Sequence, residues 1–126
     1  MKPTFTAEYK AIENLLLNQY IEGVKQAKGE IMKPAFHDVA TMFSVSENGN
    51  LTGGAVGETL FPNIDNHFKP SDNPVVAIAY IDIVGTAASA RVDADNLSGY
   101  GFTDYFNLLK VNGTWTIVSK IFHAHY

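Results

Sequence analysis

The 126-residue chain has no cysteine. That excludes disulfides, thiolate metal centres and thiol redox chemistry. Charge is scarce as well: Asp, Glu, Lys and Arg make up 17% of the residues, below the usual quarter. A surface so short of charge points to a chain that covers part of itself with a second copy. Basic residues are the minority sign, 9 against 13 acidic, for a net charge of −4. This excludes the electrostatic footprint of a nucleic-acid binder. Lys25, Lys28 and Lys33 lie near one another but read as a solvated face. Long apolar runs are missing too. The longest, Val75 to Ile81, is too short to cross a bilayer as a helix. Leu15-Leu16-Leu17 is too short for a signal-peptide core, and Met1-Lys2-Pro3-Thr4 leads straight into a mixed segment. The expectation is a cytoplasmic protein with no membrane partner.

What is present is a hydrophobic fraction of 46%, which suits one folded domain spanning 1–126. From Thr6 to Ala27, Ile12, Leu15, Leu16, Tyr20 and Val24 recur at three- and four-residue steps, a helical pattern. Leu17 and Ile21 widen the apolar arc, so this helix is expected to be buried on most sides. Thr6 suits an N-cap and Gly29 a break after Lys28. A short helix is expected over Glu30 to Ala35, and a third over Glu58 to Phe68, interrupted near Pro62.

The remainder reads as strand. Ala40 to Val45 comes first, followed by a turn at Glu47-Asn48-Gly49-Asn50. Then come Val75 to Val84, Thr86 to Asp93, Phe102 to Val111 and Thr114 to His123. Asn112-Gly113 between the last two is a strong type I′ hairpin signal. Helices first and an antiparallel meander after, with no internal repeat, make an α+β fold. A regular hairpin sets Val111 opposite Thr114 and fixes the faces of both strands. One face then holds Phe102, Asp104, Phe106, Leu108, Trp115, Ile117, Ser119, Ile121 and His123. It is the more apolar and is expected to meet the helices. The other, with Thr103, Tyr105, Asn107, Leu109, Thr116, Val118, Lys120 and Phe122, has the mixed character of a dimer surface.

Tyr20, Phe36-His37-Asp38-Val39-Ala40-Thr41 and Asn112-Gly113-Thr114-Trp115-Thr116-Ile117-Val118 together resemble the nuclear transport factor 2-like superfamily. Asp82 to Val92 and Phe102 to Val111 resemble, more narrowly, its "putative lumazine-binding" branch. The resemblance runs from about Ala7 to His123. It implies a cone: three helices on a strongly curved sheet, a pocket at the open end and a homodimer through the outer sheet face. Among the superfamily's enzymes, ketosteroid isomerase pairs an aspartate base with an oxyanion hole of tyrosine and protonated acid. Tyr20 matches that tyrosine in its spacing from Phe36. The base position falls on Ser44, which cannot take a proton unaided, and the acid position falls near Phe106. The isomerase reaction is therefore not expected.

The resemblance to a cone makes Tyr20, Phe36, Met42, Phe61, Arg91, Asp104, Phe106 and His123 the expected pocket residues. Phe61, Phe68, Met42 and Phe43 read as core residues, some of which such a fold also exposes to its cavity. Asp104 stands out, because a carboxylate on an apolar face needs a partner. Arg91 is the expected partner, if its strand lies alongside. Asp104 and His123 are the candidate acid/base groups, with Tyr20 beside them. His123 and His125 have a zinc-chelating spacing, and His37 or Asp104 could add a third ligand. The plainer reading is one inward and one tail histidine, so no metal is expected. Gly53-Gly54-Ala55-Val56-Gly57 lacks the Gly-Lys-Ser/Thr of a phosphate loop and reads as a flexible pocket rim, so no cofactor is expected. The leading expectation is a protein that binds a small, largely apolar molecule. A cyclase, isomerase or dehydratase comes second. A dimeric interaction module whose cavity is filled by Phe61, Phe68 and Leu108 comes third.

Overall fold

The computed structural model describes residues 5–125. The readings that fall on Met1 to Thr4 lie outside the described residues. A continuous rod comes first: α1 (Phe5–Leu15), a π-helical segment (Leu16–Ile21) and α2 (Glu22–Gln26). Thr6 lies inside this helix and does not cap it. Ile12, Leu16, Tyr20, Ile21 and Val24 are buried, as their spacing demands, while Leu17 is exposed. The rod ends at Ala27, which takes the left-handed conformation (φ 56°), two residues before the expected break at Gly29. The Lys28 amide closes the end by donating to the Gly23 carbonyl at 2.9 Å. Next come α3 (Gly29–Met32), a 3₁₀ turn (Lys33–Ala35) and, later, α4 (Leu60–His67). Pro62 does not interrupt α4. It sits in the first turn, where a helix has no use for the missing N–H. Asp65 of α4 accepts the Gly29 amide at 2.7 Å and ties α4 to the start of α3.

Six strands form one sheet in the order β2-β1-β6-β5-β4-β3. They are β1 (Phe36–Val45), β2 (Leu51–Ala55), β3 (Val75–Val84), β4 (Ala87–Leu97), β5 (Tyr100–Val111) and β6 (Thr114–His125). All neighbours are antiparallel except β1 and β6, which run parallel. β2 is a correction to the expectation of a flexible rim. Its glycines allow a close approach: a Cβ on Gly53 would lie 2.0 Å from the Met42 carbonyl oxygen. The expected strands β1, β4, β5 and β6 all exist and all run longer than their apolar patterns.

The largest correction is in β6. Val111 does face Thr114 and Leu108 faces Ile117, but then the ladder slips by one and Asn107 faces Ser119. Val118 is the extra residue of a β-bulge, which reverses the faces of everything beyond it. Lys120 and Phe122 therefore turn inward, and Ile121 and His123 turn outward. β1 carries its own irregularity against the same stretch, between Phe36 and Thr41. Beyond the bulge, Met42, Lys120, Phe106, Ala90 and Ile81 form one row across the sheet, and all five are buried. The adjacent outer row is Phe43, Ile121, Tyr105, Arg91 and Tyr80, of which Ile121, Tyr105 and Tyr80 are exposed. No helix among the described residues is long and apolar enough to cross a membrane.

Candidate functional site

The helices and the inner sheet face enclose a cavity of about 300 Å³. Val24 and Tyr20 come from the first rod, and Leu60, Asn63, Ile64 and His67 from α4. Met42 comes from β1, and Tyr100, Phe102, Lys120, Phe122 and Ala124 from β5 and β6. Phe68 lies between α4 and β3. Phe68 and Phe102 stack with ring centroids 6.0 Å apart, and Phe102 meets Phe122 edge-on at 6.1 Å. The walls are therefore mostly apolar and aromatic, with a few polar groups in fixed places.

Three of those groups form one buried unit. Tyr20 donates its hydroxyl hydrogen to Asp104 Oδ2 at 2.8 Å. Lys120 Nζ lies 3.4 Å from Asp104 Oδ1. Asp104 is 1% exposed and Lys120 4%. Asp104 Oδ1 has no hydrogen-bond partner, so its ion pair with Lys120 is one of proximity rather than of aligned donors. The Lys120 ammonium also touches Met42 Sδ at 3.4 Å and sits 4.2 Å from the centre of the Phe122 ring. A protonated amine has three donors, and here they meet one carboxylate at long range, a thioether and a ring face. Phe106 packs edge-on to the Tyr20 ring, with centroids 4.9 Å apart, and braces it from below.

Burial sets the proton affinities. It lowers the Lys120 amine below the usual lysine value, outweighing the Asp104 carboxylate that favours the charged form. It raises the Tyr20 phenol well above its usual value of 10.0, and the Asp104 charge adds to that. The folded chain thus holds the Tyr20 proton more tightly than the unfolded chain does. This stabilisation is complete below pH 10 and is lost as pH rises through the raised folded value. Alkaline titration of tyrosinate absorbance should show a late-ionising phenol that disappears in Tyr20→Phe. Ionisation of Tyr20 at an ordinary tyrosine pH would contradict this.

Of the sequence-derived pocket residues, Tyr20 and Met42 line the cavity, and Asp104 lies directly behind Tyr20 and Lys120. Phe106 is buried beneath them. Phe36 and Phe61 face a separate hollow, with Lys33, His37 and Asp38. Two expectations are overturned. Arg91 does not pair with Asp104: it lies opposite Tyr105 on the outer face, where its Nε donates to Asp93 at 3.2 Å. The reason is register, because Val92 and not Arg91 is the neighbour of Asp104. His123 is exposed on the outer face beside His125, with ring centroids 5.0 Å apart, because the Val118 bulge turned it out. His37 accepts the Val39 amide at the start of β1. No group of three metal-ligating side chains converges among the described residues. The Ser44 hydroxyl lies 3.2 Å from the Thr52 hydroxyl. The sequence reading missed Lys120. The inward positions change parity along β6, from Trp115 and Ile117 to Lys120, Phe122 and Ala124.

Comparison with known proteins fits this architecture. Residues 7–123 match the family model described as "Putative lumazine-binding". A nuclear transport factor 2-like protein of unknown function from Shewanella baltica is 54% identical, with a TM-score of 0.95 and 99% of each chain covered. One from Methylobacillus flagellatus is 37% identical, with a TM-score of 0.86, covering 99% of this chain and 97% of its own. The aldolase FrzH of Cladobotryum is 26% identical over 110 residues, 84% of this chain and 83% of that protein.

Proposed function

The chain belongs to the putative lumazine-binding family of the nuclear transport factor 2-like superfamily, and we propose that within it the chain binds a small, flat, largely apolar molecule in its cone cavity. The observation that carries this reading is the cavity of about 300 Å³, apolar along most of its walls, with Asn63 and His67 on the α4 side and Tyr20 and Lys120 at the buried polar unit. That volume is at the lower end of the range for small-molecule sites. Asp104 already balances the Lys120 charge, so the ligand's polar end should be a neutral acceptor such as a carbonyl oxygen. Of the three residues expected to fill a vestigial pocket, Phe68 lines the cavity while Phe61 and Leu108 do not, which counts against that reading.

A thermal-shift comparison of paired aromatic compounds tests the proposal. Fused-ring amides or ketones should raise the melting temperature in a concentration-dependent way, by about 2.7 kcal/mol of stabilisation at a hundredfold excess over Kd. The parent hydrocarbons should act more weakly. No shift from any fused-ring carbonyl would sink the reading.

The second reading, an enzyme using Asp104 as acid or base, is favoured by the unpartnered Asp104 Oδ1 and by the relative named as an aldolase. His123 drops out of that role because it faces away from the cavity. The exposed outer row of Tyr80, Tyr105 and Ile121 supports pairing with a second copy of the chain. Sedimentation at twice the chain mass, reduced by Ile121→Asp, is the expected outcome, and a monomer would end that proposal.

A further inference from the structure

Lys120 is a primary amine at the wall of an apolar cavity, with a carboxylate 3.4 Å away and only a thioether, Met42 Sδ, as its hydrogen-bond acceptor. The geometry points to a covalent role: Lys120 forms an imine with an aromatic aldehyde or ketone held in the cavity, with Asp104 as the proton carrier. This rests on the proposed binding reading and deepens it by naming the ligand's reactive group.

Each part of the site has a task in that chemistry. Lys120 first gives its extra proton to Asp104, 3.4 Å away. The freed nitrogen lone pair attacks the carbonyl carbon. A C–N bond forms, the carbonyl π-bond breaks, and the oxygen ends as the hydroxyl of a carbinolamine after proton transfer from nitrogen. Asp104 then returns its proton to that hydroxyl, which leaves as water while the nitrogen lone pair forms the C=N bond. The products are a protonated imine, paired with the Asp104 carboxylate, and one water. No oxidant or reductant enters. Tyr20 holds the other carboxylate oxygen through its 2.8 Å hydrogen bond and so fixes the carrier. Phe102 and Phe122 supply faces for the ligand's rings. The desolvated position also favours the neutral, nucleophilic amine.

The test uses 2-naphthaldehyde with sodium cyanoborohydride, which reduces an imine to a stable amine, followed by peptide mapping. A control titration uses 2-naphthamide, which has a carbonyl but cannot form the imine. The expected result is a naphthylmethyl group on Lys120, at least tenfold faster than on the exposed Lys10, and lost in Lys120→Arg. That variant keeps the positive charge next to Asp104 but supplies no amine nucleophile. Asp104→Asn should slow the capture at a temperature where the variant is still folded. Binding of 2-naphthamide with Lys120 modified no faster than Lys10 would overturn the covalent inference alone. Absence of both binding and capture would overturn the binding reading with it.

Discussion

Asp104→Asn should destabilise the chain by about 3 kcal/mol, a fall of about 10 °C in melting temperature for a domain of this size. The substitution keeps the shape and an acceptor for Tyr20 but leaves the Lys120 ammonium without a counter-charge in a site only 4% exposed. Breaking one side of a buried pair typically costs about 3–5 kcal/mol. The 3.4 Å separation and the unpartnered Oδ1 place this pair at the lower end. Removing all three polar groups should behave differently. The combination Tyr20→Phe, Asp104→Leu and Lys120→Met replaces the unit with apolar side chains and should stay within about 1 kcal/mol of the parent. It should also lose affinity for carbonyl-bearing ligands. Urea denaturation of the two variants decides the matter. If the triple variant is as unstable as Asp104→Asn, the unit stabilises the fold, and its retention needs no ligand to explain it.

Phe106→Ala should cost about 3–5 kcal/mol, the usual range for emptying a buried phenylalanine site. Phe106 is 1% exposed, between Lys120 on β6 and Ala90 on β4, with the Tyr20 ring edge-on at 4.9 Å. Its loss opens space under Tyr20 and frees the phenol to leave Asp104. Stability should fall first, and the late ionisation of Tyr20 should move towards the ordinary tyrosine range with it. Phe106→Leu should recover most of the stability. A Phe106→Ala variant that is stable and still shows a late-ionising Tyr20 would mean that this ring does not position the phenol.

The sequence made the helical rod, the long strands and the Asn112-Gly113 hairpin readable because those signals are local. Periodicity places Ile12, Leu16, Tyr20 and Val24 on one face without knowledge of anything distant. The family resemblance then supplied the cone. β2 was not readable, because glycines that weaken a strand in isolation are there for their close approach to β1. The bulge at Val118 was harder still. One extra residue leaves almost no trace in composition, yet it exchanges the faces of Lys120 and His123. Asp104 was rightly placed inside from its pattern, but its partner was wrongly taken as Arg91, since partner choice depends on the registers of β5 with its two neighbours, β4 and β6. The candidate site was therefore half legible: Tyr20, Met42 and Asp104 came from pattern and resemblance, and Lys120 only from three-dimensional pairing.

The central claim is that small aromatic carbonyl compounds enter the cone cavity and reach its polar end. Methyl NMR of the methionines during titration with 2-naphthamide tests it most directly. Met42 lines the cavity and touches Lys120, while Met32 is fully buried against Gly23 and does not line it. Ring currents from a bound naphthalene should shift the Met42 methyl in a saturable way and leave Met32 in place. Saturable binding with Met42 unmoved would put the ligand elsewhere on the chain and contradict the account.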